Sequence, residues 1–120
     1  MTRKLIAALI AMLFAAAAAL AQNKAPAGSA EHGHKLFMDL GCYFCHGTVG
    51  EGGERGAGPK LLPNPLPFAA FRMQLRTPRR DMPQYVDKWV SDQDVADLYA
   101  YLTSIKPAPA AKDIQKLRDF

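Results

Sequence analysis

The stretch GCYFCHG, Gly41 to Gly47, holds the only two cysteines of the 120-residue chain, with a histidine directly after the second. Cys-x-x-Cys is shared by redox dithiols, zinc sites and covalent haem attachment, which need different surroundings. Zinc asks for four ligands in a tetrahedron. Beyond Cys42, Cys45 and His46 there is no second cysteine pair, and His32 and His34, one residue apart, point to different faces of a predicted helix. A thioredoxin-like dithiol asks for a βαβ setting, and no segment shows a convincing period-two pattern. Haem attachment uses every residue of the motif: two thiols add to the vinyl groups of one haem, and the adjacent imidazole coordinates iron from that side. On this reading Cys42 and Cys45 are covalent tethers of a single haem c and His46 is the proximal iron ligand.

The other face of the iron decides between electron carriage and chemistry. Met38 lies one turn before Cys42, where its reach is poor; Met73, beside Phe71 and Leu75, reads as core; Met82 lies in a loop, followed by Pro83, which stiffens the backbone. A thioether raises the reduction potential relative to a second histidine, for which His32 and His34 are the rivals, though both read as exposed helix residues. Arg72, Arg76, Arg79 and Arg80 crowd the approach to Met82; one or two of them could pair with haem propionates, the four could form a solvated basic face, or they could dock an acidic partner. Tyr85 and Trp89 could line the cofactor pocket, with packing under the last helix as the other role for Trp89.

These residues need elements to position them. Arg3 and Lys4, an apolar run from Leu5 to Leu20 rich in alanine, and Ala19-Leu20-Ala21 predict a secretory signal peptide over 1–21, cleaved after Ala21. The run is short for a retained membrane anchor and has no positive flank after it. Residues 22–28 read as a flexible leader. Ser29 as N-cap, Glu31 in the first turn, the spacing of Gly33, Leu36, Phe37 and Leu40, and Gly41 as a stop predict a helix over about 30–40. Gly47 to Pro67 carries six of the nine glycines and four of the nine prolines and no periodicity, which is uncommon unless the segment wraps something. Phe68, Phe71, Met73 and Leu75 predict a short helix closed at Thr77-Pro78. A loop over 79–89 follows. Ser91 and Asp94 form a capping box for a helix whose apolar face is Val95, Leu98, Leu102 and Ile105, stopped by Lys106-Pro107. Residues 107–120 read as a Pro/Ala linker and tail, with a weak pattern at Ile114, Leu117 and Phe120. The domain carrying the site therefore spans 29–106. Without Arg3 and Lys4, 13 basic residues stand against 11 acidic ones, a net +2 too balanced to argue for nucleic-acid binding. A chain of this size buries only a modest core, and a bound cofactor would supply the rest.

From Gly33 to Ile105 the sequence resembles a class I c-type cytochrome, monohaem and His/Met-ligated, on four motifs: Gly33 and Phe37 in the helix before CYFCH, GPKL at Gly58 to Leu61, MPQY at Met82 to Tyr85, and SDQDVADLYAYL. The resemblance implies an all-α, small cytochrome c fold of about three to four helices wrapped around one covalently attached haem. It implies a crossing of the first and last helices at Gly33 and Phe37 against Leu98 and Tyr101, an acceptor for the His46 ring N–H at the Pro59 carbonyl, and Met82 as distal ligand. Cofactor contacts are expected at Pro59, Arg79, Arg80 and Tyr85, beside the covalent Cys42 and Cys45 and the axial His46 and Met82. The expected function is a periplasmic one-electron carrier, not an enzyme, free or as the cytochrome subunit of a larger respiratory oxidoreductase. Its partners would be a dehydrogenase, an oxidase or another cytochrome, with neither nucleic acid nor, after cleavage, a membrane; the chain would be a monomer or a complex subunit. A gas sensor or peroxidase-like protein with an open sixth position is the alternative.

Overall fold

A computed structural model describes residues 3, 5–13, 24–53, 58–63 and 65–118. The expected cleavage site at Ala19 to Ala21, and Phe120, lie outside the described residues. Residues 5–13 are helical, and no helix among the described residues is long and apolar enough to cross a membrane.

The all-helical expectation is met: helices α1 (Ala30–Asp39), α2 (Cys42–His46), α3 (Phe68–Arg76) and α4 (Asp92–Ser104) are followed by a 3₁₀ turn at Ala111–Asp113 and a short α5 (Gln115–Arg118). No strand occurs among the described residues. Helix α1 begins at Ser29, whose side chain accepts from the His32 N–H, and ends at Leu40; Gly41, at φ 73, then turns the chain into α2. The α4 capping box is complete: the Ser91 hydroxyl accepts from the Asp94 N–H, and the Asp94 carboxylate accepts from the Ser91 N–H at 2.8 Å. Two orphan donors are satisfied at once, and the two acids of the first turn suit the positive helix start.

Helices α1 and α4 form the frame. A Cβ at Gly33 would lie 1.9 Å from the Asp97 carbonyl oxygen, so only a glycine permits this backbone approach. Beside it Phe37 meets Tyr101 with ring centroids 5.5 Å apart, and Leu98 is buried in the same core. Phe37, Val95 and Leu98 are almost wholly buried, and each such side chain contributes about 1.5–3 kcal/mol. Helix α3 closes the other side, with Phe68 and Phe71 both 5.3 Å from the Tyr99 ring.

The crossing also carries a polar pin. Asp97, buried on α4, accepts from the Ser29 backbone N–H, His32 Nδ1 and Gln93 Nε2 at 2.7–2.9 Å. Burial alone would raise this carboxyl, but these hydrogen bonds outweigh it and hold the group below its ordinary range. His32 and Asp94 stand close to it, and the second Asp94 oxygen is committed to the α4 cap. Contacts also reach into the stretch read as a leader: Ala25 packs on the core and the Ala27 carbonyl accepts from Gln93.

Candidate functional site

The Cys-x-x-Cys-His residues are α2 itself, and the spacing of the two cysteines places them on one face of a single helical turn. Both are free thiols at the wall of one cavity of about 1080 Å³, which His46 also lines. The volume lies slightly above the ~300–1,000 Å³ usual for small-molecule and cofactor sites. Burial pushes the Cys42 thiol up, against a lesser opposing hydrogen bond with Tyr85. A redox dithiol needs the opposite shift, toward thiolate, so this environment speaks against dithiol chemistry.

His46 is buried, and its Nδ1 lies 2.8 Å from the Pro59 carbonyl oxygen. A carbonyl can only accept, so Nδ1 carries the proton and Nε2 keeps its lone pair for a metal. The irregular segment makes this bond possible by folding back on α2. The Gly52 N–H donates to the His46 carbonyl at 2.8 Å, and the Leu61 N–H to that of Gly50 at 2.8 Å. At Gly58 a Cβ would sit 2.4 Å from the Cys45 carbonyl oxygen and 2.9 Å from His46 Nδ1. A glycine here lets Pro59 come under the ring.

Met82 lines the same cavity, in the loop between α3 and α4. Its sulfur accepts from Gln74 Nε2 at 3.4 Å. Tyr85 also lines the cavity, its hydroxyl 4.0 Å from Cys42 Sγ and donating to the Leu40 carbonyl at 3.5 Å. Burial first, then the nearby cysteines, push that phenol up to about 12, so it stays protonated and can donate. Arg79 and Arg80 stand exposed at the cavity rim, Arg80 with φ 61 in the left-handed region.

The structure therefore brings together Cys42, Cys45, His46, Pro59, Arg79, Arg80, Met82 and Tyr85. It does not bring Arg72 or Arg76 there. Arg72 pairs with Asp92 at 2.9 Å, and Arg76 reaches Asp87 and Asp92 at 2.7 and 2.8 Å. Two further readings are corrected. Met73 is 65 % exposed rather than core, because it lies about 200° around α3 from both Phe71 and Leu75, which face inward. Trp89 neither lines the cavity nor packs under the last helix; it is 75 % exposed, with the Lys88 ammonium 5.1 Å from its ring centroid. Sequence reasoning missed Gln74. Its signal was a polar amide in register with the apolar positions of α3.

The donor set fits a haem. Two thiols and an imidazole with a free Nε2 stand on one short helix, a thioether lines the same cavity, and Leu40, Leu61, Phe71 and Leu102 give it apolar walls. The comparisons agree. Residues 28–102 match the family model described as cytochrome C oxidase, cbb3-type, subunit III. The chain is also 33 % identical over 93 residues to the 4-cresol dehydrogenase (hydroxylating) cytochrome c subunit of Pseudomonas putida, covering 78 % of this chain and 77 % of that one. No solved structure matches. With the match to the family spanning the frame helices, the haem-attachment motif and the Met82 loop alike, the chain belongs to the class I c-type cytochromes, electron-transfer proteins with a covalently bound haem c.

Proposed function

We propose that the chain is an exported, periplasmic one-electron carrier serving as the cytochrome subunit of a larger respiratory oxidoreductase, with Cys42 and Cys45 as haem tethers and His46 and Met82 as axial ligands. When bound, the haem supplies a one-electron couple whose potential the axial ligands set. The observation that carries the reading is the shared cavity of the Pro59-oriented imidazole and the Met82 thioether. His46 is held in the one tautomer that can coordinate through Nε2. Met82, lining the same cavity, would take the iron's other position and leave none open for oxygen or substrate, which suits outer-sphere transfer. Export is supported by the basic start, the apolar run and the small-x-small site before Gln22. The subunit role is supported by the names of both matches, one a subunit of an oxidase and the other of a dehydrogenase. Arg79 and Arg80 are free at the rim to meet haem propionates or an acidic partner.

The test is the visible spectrum of the exported holoprotein, oxidised and reduced. The weak ferric methionine-to-iron band should be present in the wild type and lost in Met82→Ala. High-spin iron without that band in the wild type would mean an open sixth position, and sensing or peroxidase-like chemistry would replace electron carriage.

A further inference from the structure

Helix α3 presents Phe71, Gln74 and Leu75 to the cavity. Two of these are apolar; the third is a primary amide. An amide set into an apolar wall is costly unless its N–H finds an acceptor. Gln74 finds one in the Met82 sulfur, at 3.4 Å. A thioether is a weak acceptor, so nothing about ordinary packing demands this pairing. Met82 is also a side chain with three rotatable bonds on a loop, and unaided it would sample several positions.

We infer that Gln74 is a positioning residue for the distal ligand, its amide N–H holding the Met82 sulfur and drawing electron density from it. The inference rests on Met82 being the iron ligand. A thioether sulfur has two lone pairs: one can serve the metal while the other accepts from Gln74. Hydrogen bonds around the ligand set are one of the levers a protein has on a haem potential. A sulfur drained by a hydrogen bond is a poorer donor to ferric iron, so the reduced state is favoured and the potential is raised. The same bond ties the loop methionine to α3, whose Phe68 and Leu75 are buried in the core. The sulfur then keeps its place as the iron changes oxidation state.

The experiment is a redox titration of exported holoprotein carrying Gln74→Leu or Gln74→Val, with Met82→Ala alongside. Both Gln74 variants put an apolar side chain beside Phe71 and remove the N–H. Each should keep the ferric methionine-to-iron band and lower the potential. The one-electron equilibrium constant should shift about threefold to tenfold, tenfold being 59 mV. In the reduced wild type, nuclear magnetic resonance should show a slowly exchanging Gln74 amide proton close to the Met82 methyl group. Wild-type potentials in both variants, or shifts of opposite sign, would reduce Gln74 to packing and overturn the inference. If Met82→Ala loses the band while both Gln74 variants keep the wild-type potential, this inference falls alone. If Met82→Ala keeps the band, Met82 is not the ligand and both readings fall.

Discussion

A single methyl group tests two close backbone approaches, at Gly33 and at Gly58. At Gly33 it would lie 1.9 Å from the Asp97 carbonyl oxygen, and the obstacle is backbone, which cannot swing aside. Gly33→Ala must therefore push α1 off α4 and separate Phe37 from Tyr101. Overpacking typically costs about 1–3 kcal/mol, and this contact belongs at or above the upper end. Denaturant unfolding of the holoprotein should show the loss, and a change below about 0.5 kcal/mol would mean the crossing is looser than described. At Gly58 the same change acts on the site instead. Its Cβ would meet the Cys45 carbonyl and His46 Nδ1, so the Pro59 segment must retreat and the 2.8 Å ring bond must lengthen. Gly58→Ala should raise the potential or broaden the ferric spectrum with a smaller loss of stability than Gly33→Ala, because an imidazole without its Pro59 acceptor is a less basic ligand, a poorer donor to ferric iron, and is free to turn. An unaltered spectrum and potential would show that the Pro59 carbonyl does not orient His46.

Between α3 and α4 the loop that carries Met82 is held at several points by the Arg76 side chain. Arg76 Nη1 donates to the Tyr85 and Val90 carbonyls, each at 2.7 Å, while Nη2 reaches Asp87 and Asp92. The Tyr85 N–H donates to the Leu75 carbonyl at 3.0 Å, and the Gln84 amide to that of Arg76 at 2.8 Å. Arg76→Leu leaves two carbonyls without their donor, a cost of about 2 kcal/mol at roughly 1 kcal/mol for each hydrogen bond. It should also loosen Met82, seen as partial loss of the methionine-to-iron band on mild heating. Retention of the band up to the wild-type melting temperature would show that the loop is anchored elsewhere. Asp92 adds a pH dependence. Hydrogen bonds from Arg72 and Arg76 lower its carboxyl from 3.8 to about 2, so the ionised form favours the folded state. That contribution is whole above pH 3.8 and disappears as the pH falls toward 2. Asp92→Asn should flatten the acid limb of the stability profile in this window, and since Asp92 is exposed, salt should flatten it too. An acid limb unchanged by Asp92→Asn would mean that other carboxylates set it. The legibility of these elements follows the range of the forces involved. Ser29, Ser91, Asp94 and the apolar stripe of α4 act within a few residues, so both frame helices could be read directly. The destinations of Arg72 and Arg76 depended on where Asp87 and Asp92 came to rest once α3 and α4 had packed, and no local pattern encodes that. Met73 was misplaced for a different reason: adjacency to Phe71 and Leu75 counted for more than the helical angle. The Pro59 contact came from family resemblance, since an irregular glycine-rich segment has no periodicity from which to infer it.

At the scale of the whole molecule, the buried apolar residues and the cavity divide the work of holding the fold. Phe37, Val95, Leu98 and Tyr101 belong to the α1 and α4 frame, whereas Phe71, Leu61 and Met82 are only partly buried and border the cavity. Tyr101 extends the frame slightly by donating to the Thr48 carbonyl at 3.1 Å, but Gly47 to Pro67 contributes no buried apolar side chain of its own among the described residues. Beyond a few hydrogen bonds and the half-buried Leu61, such a segment has little to offset its conformational entropy, at about 1–2 kcal/mol per ordered residue, unless the cofactor fills the space it surrounds. Blocking attachment with Cys42→Ser and Cys45→Ser should therefore not give a native fold with a hole. The expected product is a chain in which α1 and α4 keep a weak association and everything from Gly47 to Trp89 loses protection. Hydrogen exchange on that variant should show slowed amides only around Phe37 and Leu98, and its far-UV circular dichroism should fall well below that of the holoprotein. Protection across Leu61 and Leu75 without haem would mean that the protein builds its own cavity wall, and the covalent tether would then be needed only to retain the cofactor, not to complete the core.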